Sequence, residues 1–252
     1  MSGHSKWHSI KHQKGKTDAQ RGKLFTKLAR EIIVAAKIGG GSPDSNITLR
    51  AAITRARAIS MPQDNIKRAI ARGVGGGDGA NYEDLTYEGY GPGGVAVLVN
   101  CLTDNKQRTV SDVRSVFTKT GGRLAESGSV SYLFEQKGII IVDPNVTTEE
   151  KLTEAAIDGG AEDIQPTDEG GFEVTTALED FQSVQKALEA AKIAVASAEL
   201  TMLPQTTVDI AGKEAGQVLR LIDLLEDNDD VQKVYANFDI SDDELEAAEG
   251  GR

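Results

Sequence analysis

The sequence has one cysteine, one tryptophan, three histidines and no long apolar run. A lone Cys101 cannot form an intramolecular disulfide, and its place in an apolar stretch marks it as a small core residue rather than a nucleophile. The longest apolar runs, VAVLV at 95–99 and GIIIV at 138–142, are strand-sized. Neither approaches the roughly 20 residues that span a bilayer, and no apolar stretch of secretory type opens the chain. The expectation is a protein of the reducing cytoplasm with no membrane partner. All three histidines lie within the first twelve residues, so a Ser-His-Asp or Cys-His site would have to recruit the chain terminus. No catalytic constellation appears, and an enzyme with a small-molecule substrate is not expected.

Positive charge is also scarce, for a net charge of −11, which by itself argues against a nucleic-acid partner. Its distribution argues the other way. Residues 1–72 carry 15 Lys and Arg against 4 acids, and the remaining 180 residues carry 13 against 35. One end is therefore +11 and the rest −22, an asymmetry typical of a basic nucleic-acid-binding module joined to acidic domains.

The basic end is where the rare residues sit. MSGHSKWHSIKHQKGK holds every histidine, the tryptophan and four lysines. His4, His8 and His12 share a helical spacing, but with no carboxylate or thiolate nearby they make a poor metal site, and no metal or cofactor is expected. The stretch reads instead as an arm for nucleic acid. Lys6, Lys11, Lys14 and Lys16 supply phosphate contacts, and Trp7 and the imidazoles offer flat faces for unpaired bases.

Three amphipathic helices follow. The first runs from a Thr17 or Asp18 cap to the glycines at 39–41, with Leu24, Phe25, Leu28, Ile32, Ala35 and Ala36 on one face. Lys23, Lys27, Arg30 and Lys37 form a narrow stripe opposite, which Arg21 extends. The second covers about 46–59 with Arg50 and Arg57 outward. The third begins at a Ser60 cap followed by Pro62 and Gln63 and carries Lys67, Arg68 and Arg72 to Gly73. The candidate nucleic-acid contacts are the arm's His4, Lys6, Trp7, His8, Lys11, His12, Lys14 and Lys16, with these helix cations.

Glycines at 74–80 read as a linker closing the segment 1–79, after which strands alternate with helices. Strands are expected near 84–88, 95–102, 129–135 and 138–142, then helix, strand, strand, helix and strand to 200, and last a helix at 213–226 and a strand at 231–238. The order βαββαβ over 138–206 is the ferredoxin-like pattern. The fold class is thus α+β, with a discontinuous α/β domain (80–137 plus 207–240), an inserted acidic domain (138–206) and an acidic tail (241–252). GYGPGG at 89–94 lacks the lysine-and-hydroxyl ending of a phosphate loop and reads as a turn. Lys106, Arg108, Arg114, Lys119 and Arg123 gather on one helix and its following turn, as either a solvated face or a second, weaker contact surface.

GHSKW at 3–7, DAQRGKLFTKLAREIIVAAKIGGG at 18–41, NITLRAAITRARAISMPQDNIKRAIARG at 46–73, YEGYGPGGVAVLVNCLTDN at 87–105, GSVSYLF at 128–134 and LIDLLEDNDDVQKVYANFDI at 221–240 resemble the YebC/PmpR family. That family includes the mitochondrial translational activator of cytochrome oxidase subunit I. The resemblance implies three cytoplasmic domains, with the last inserted within the second. It also implies one of two functions: DNA-binding transcriptional regulation, or action on the ribosome at awkward sequences such as proline runs. Of the two, the charge asymmetry favours ribosomal RNA and tRNA, with ribosomal proteins as further partners, because acidic domains would be repelled by flanking duplex DNA.

Overall fold

A computed structural model of the chain describes residues 18–75, 81–167, 170–241 and 243–245. The arm residues His4 to Lys16, the Thr17 cap and most of the glycine linker lie outside them. Two compact units are formed, one by Tyr132–Thr206 and the other by the residues before and after it.

The larger unit begins with helices α1 (Asp18–Gly39), α2 (Ile47–Ala58) and α3 (Gln63–Val74). Ile32, Ile33, Ala36, Leu49, Ile53, Ala56 and Ile66 form their core, all nearly or fully buried. Helix α1 packs on both of the others. A Cβ on Gly73 would lie 2.5 Å from the Ile33 carbonyl oxygen and 2.7 Å from Ala36 Cβ, so glycine permits the close α1–α3 crossing. The side chain of Asn46 caps α2 by accepting from Leu49 N and also donates to the carbonyls of Ala35 and Gly40, which pins the α1–α2 turn.

Ser60 does not cap α3 as its position suggests. It sits at φ +62°, and the Ser60 and Met61 amides donate back to the carbonyls of Arg57 and Ala56. This is the paired hydrogen bonding of a Schellman ending to α2, with Met61 buried beyond it. Pro62 occupies the N-cap of α3 without a side-chain cap bond.

The same unit then builds a four-stranded sheet ordered β3-β1-β2-β9 from β1 (Glu83–Tyr90), β2 (Ala96–Thr103), β3 (Arg123–Leu124) and β9 (Val231–Ala236). Strand β2, AVLVNCLT, is buried along almost its whole length, as its lack of polar alternation implies. Helices α4 (Lys106–Lys119) and α7 (Gly212–Glu226) contribute Val113, Phe117, Val218, Leu221, Ile222 and Leu225 to the core with it. Burial and the nearby Asp230 charge push the Cys101 thiol up to about 12, as suits an inert core residue. The expected acidic tail is anchored at its start, since Leu245 is 1% exposed and Glu244 accepts from Gly212 N.

In the smaller unit, β4 (Phe134–Val142), β5 (Ala161–Pro166), β6 (Phe172–Ala177) and β7 (Ser197–Pro204) form an antiparallel sheet ordered β5-β6-β4-β7. Helices α5 (Glu149–Gly159) and α6 (Phe181–Ala190) complete the βαββαβ order, and that strand order is the ferredoxin-like one. Of the two expected strands, 129–135 and 138–142, the first is mostly absent: Ser131–Leu133 form a 3-10 turn, and a single strand starts only at Phe134. Gly138, expected as the first residue of the second strand, lies inside β4, where a Cβ would collide with the Phe181 ring and Thr176 Oγ1. It is a packing glycine. The remaining short strands, β8 (Val208–Asp209) and β10 (Phe238–Asp239), pair in parallel and had no periodicity to announce them.

Candidate nucleic-acid interface

The stripe on α1 was expected to face solvent, and the structure corrects this. Lys27 is 9% exposed, and its ammonium donates to the carbonyl oxygen of Glu226 at 2.6 Å. Glu226 is the last residue of α7, so a cation sits at the negative end of that helix and satisfies a carbonyl its own turns leave free. One turn further along α1, Arg30 donates to Asp230 Oδ1 at 2.8 Å and to the Asp229 carbonyl, with its guanidinium 5.7 Å from the centre of the Tyr82 ring. Lys23 pairs with Asp227 at 3.0 Å, an exposed contact worth under about 1 kcal/mol. Lys37 bonds Asn81 Oδ1 at 2.5 Å. Lys23, Lys27 and Arg30 thus hold the helical module to the end of α7 and the acidic turn that follows it.

Asp230 is the centre of this contact. Its carboxylate, 4% exposed, accepts from Arg30, from Arg108 Nη2 at 2.8 Å and Nε at 3.1 Å, and from the hydroxyls of Thr109 and Thr103 at 2.9 and 3.3 Å. Burial alone would raise its pKa, but the Arg108 and Thr109 hydrogen bonds and the two guanidinium charges hold it below the usual carboxylate range. A carboxylate this buried needs such a set of donors, and breaking a buried pair of this kind costs about 3–5 kcal/mol. The stripe and its partners are some 200 residues apart in sequence; the acid-rich EDNDD at 226–230 was the one available signal.

The rest of the helical module's positive charge faces outward. Arg21, Arg57, Lys67 and Arg72 are exposed and make no ion pair among the described residues. Arg50 donates to the carbonyls of Pro43 and Asp44 at 2.9 and 2.7 Å, bracing the loop before α2 while its side chain stays exposed. Arg68 bonds the side chain of Asn65 and the Asp64 carbonyl. Arg55, absent from the expected set, pairs with Glu31. The exposed cations therefore lie on α2 and α3 and at the start of α1, where the arm residues His4, Lys6, Trp7, His8, Lys11, His12, Lys14 and Lys16 lead in. Among the described residues no group of acids, histidines or cysteines is placed to hold a metal ion, and no helix is long and apolar enough to cross a membrane.

Comparison with known proteins matches residues 5–76 to the description "TACO1/YebC protein N-terminal domain" and residues 82–238 to "TACO1/YebC second and third domain". A protein of Geobacter sp. (strain M21) is 56% identical over 246 residues, covering 98% of this chain and 99% of that one. One of Actinobacillus succinogenes is 58% identical over 242 residues, covering 96% and 98%. Both are named probable transcriptional regulatory proteins. The crystal structure of a conserved hypothetical protein from Aquifex aeolicus superimposes with a TM-score of 0.79 at 50% identity, covering 90% of this chain and 93% of that one.

Proposed function

The chain belongs to the TACO1/YebC family, and from that premise we propose that it is a nucleic-acid-binding regulator of gene expression that acts on ribosomal RNA and tRNA. The observation that carries this reading is the exposed cation set of α2 and α3, Arg57, Lys67 and Arg72 with Arg50 and Arg68, on a module that is +11 in a chain that is −11. Lys27 and Arg30 drop out of the contact set because their charges are spent inside the molecule.

The names of the relatives favour a second reading, binding to promoter DNA. A duplex reader needs side chains free to meet base edges in the major groove. On α3 the Asn65 amide oxygen is taken by Arg68, which leaves Lys67 and Arg72 as the free candidates. Both can meet phosphates or guanine edges, so the preference for RNA comes from the −22 charge of the rest of the chain, which long flanking duplex would repel. Bound to ribosomal RNA, the protein would aid peptide-bond formation at difficult sequences such as proline runs by positioning, with no catalytic group of its own, in the cytoplasm.

Gradient sedimentation of lysate with and without nuclease tests the reading. Comigration with ribosomes that is lost in a Lys67→Glu, Arg72→Glu variant and kept in a Glu149→Lys, Glu150→Lys variant is the expected result. Absence from ribosomes, together with promoter binding that resists competitor DNA, would establish the transcriptional reading instead.

A further inference from the structure

The expected turn GYGPGG forms one wall of a cleft. Tyr90, Gly91 and Gly94 together with Gly121, Gly122 and Arg123 line an open depression of about 650 Å³, in which Tyr90 and Arg123 are direct partners on β1 and β3. The two loops touch through main chain, since a Cβ on Gly122 would lie 2.6 Å from the Tyr90 carbonyl oxygen. Gly94 and Gly121 have φ of +80° and +87°, which requires glycine and leaves the walls bare of side chains. Their carbonyls accept no hydrogen bond among the described residues, whereas the amides of Gly91 and Gly94 are bonded within their own turn and those of Gly121 and Gly122 donate to the last carbonyls of α4. The bare wall therefore offers acceptors rather than donors.

Positive charge comes from the rim. The Arg123 guanidinium lies 5.2 Å from the centre of the Tyr90 ring, and the Tyr90 hydroxyl is itself tied to the Ser129 carbonyl at 3.0 Å. A guanidinium held on an aromatic face keeps its N–H fork for a ligand and gives up less freedom on binding. Arg123 is exposed and has no acid partner among the described residues; the same holds for Lys119, two positions before Gly121. Their helix neighbours Lys106 and Arg108 differ, being paired with Glu83 and with Asp104 and Asp230. One carboxylate, Glu214, lies against Gly93 outside the lining.

Cationic donors beside free main-chain acceptors match a ribose-phosphate backbone, in which each unit carries an anionic phosphate and a 2′-hydroxyl donor. We propose that this cleft is a second RNA contact on the α/β module, with Arg123 and Lys119 on phosphates and the Gly94 and Gly121 carbonyls receiving 2′-hydroxyls of a single strand. It rests on the RNA reading above and adds a site separate from the helical module.

The test titrates the full chain with a fluorescent decamer of uridylate carrying one 4-thiouridine, its deoxy counterpart, and the variants Arg123→Gln, Arg123→Lys and Lys67→Glu with Arg72→Glu. Arg123→Gln is expected to bind the RNA about tenfold more weakly and to lower the log-log salt slope by about 0.7, the loss of one phosphate contact. Arg123→Lys should recover part of the affinity, the deoxy strand should bind more weakly than RNA, and crosslinks should fall within 89–94 and 119–124. Undiminished binding by Arg123→Gln, with crosslinks confined to α2 and α3, would overturn the cleft and leave the helical interface standing. No binding of either strand by the unaltered chain would overturn both.

Discussion

Arg30 on α1 and Arg108 on α4, 78 positions apart in sequence, donate to the same carboxylate, that of Asp230, which is 4% exposed. One buried anion therefore joins the helical module to the sheet module through two cations.

Replacing Asp230 by Ala should leave Arg30 without its anion and unfasten α1 from the turn after α7. The expected loss is about 3–5 kcal/mol, read by chemical denaturation. Because the folded carboxyl has a lowered pKa, its contribution is present above the unfolded value, near about 3.9, and is lost as pH falls through the lower folded value. Unfolding titrations from pH 6 down to pH 2 should show this acid-side loss in the unaltered chain and a smaller one in Asp230→Asn.

Lys27→Met keeps the length of the side chain and removes the ammonium from the end of α7. The Glu226 carbonyl then loses a buried charged donor, and stability should drop by about 1–3 kcal/mol. RNA affinity should not change, which separates this residue from the cations of α2 and α3. Equal loss of RNA binding in Lys27→Met and Lys67→Glu would restore the α1 stripe as a contact surface.

Glu88 supplies a second buried carboxylate, 4% exposed, which accepts from the amides of Gly128, Val130 and Ser131 at 2.6–2.9 Å. Burial opposes its charge, but these three donors keep its pKa below the usual value. Its contribution is accordingly present above the ordinary carboxylate pKa and fades as pH falls through the lowered one. Glu88→Ala should cost about 2–4 kcal/mol, since three amides lose their acceptor at once. Amide exchange at 128–131 should rise more than at β2.

Ser60→Gly tests the α2 ending. Ser60 is held at φ +62°, where glycine avoids the strain of a Cβ. The substitution should be neutral to stabilising by up to about 1 kcal/mol in thermal unfolding, whereas a true N-cap serine would lose a few tenths on going to glycine.

Much of this architecture was legible in the residues. The apolar faces of α1 and α2, the buried run of β2 and the βαββαβ order over 138–206 all follow from local periodicity. What escaped depends on partners distant in sequence. Gly138 looks like the start of a strand, and only the Phe181 ring placed against it explains why no side chain fits there. Ser60 looks like a cap because Pro62 and Gln63 follow it, but the chain must also close α2. The α1 stripe has the spacing of a free cationic face, and no local pattern reveals that Glu226 and Asp230 cover it. The arm residues Trp7, His4, His8 and His12 lie outside the described residues, so their reading rests on chemistry alone.

The smaller unit enters through β4 and leaves through β7, and these strands are direct neighbours: Phe134 pairs with Pro204, and Gln205 N donates to the Leu133 carbonyl at 2.8 Å. The two crossing points of the chain are therefore about one strand spacing, roughly 5 Å, apart. Such a segment behaves as a cassette. It can be lifted out and the break sealed with a few residues, or another domain with adjacent termini grafted in its place, without asking the host sheet to move.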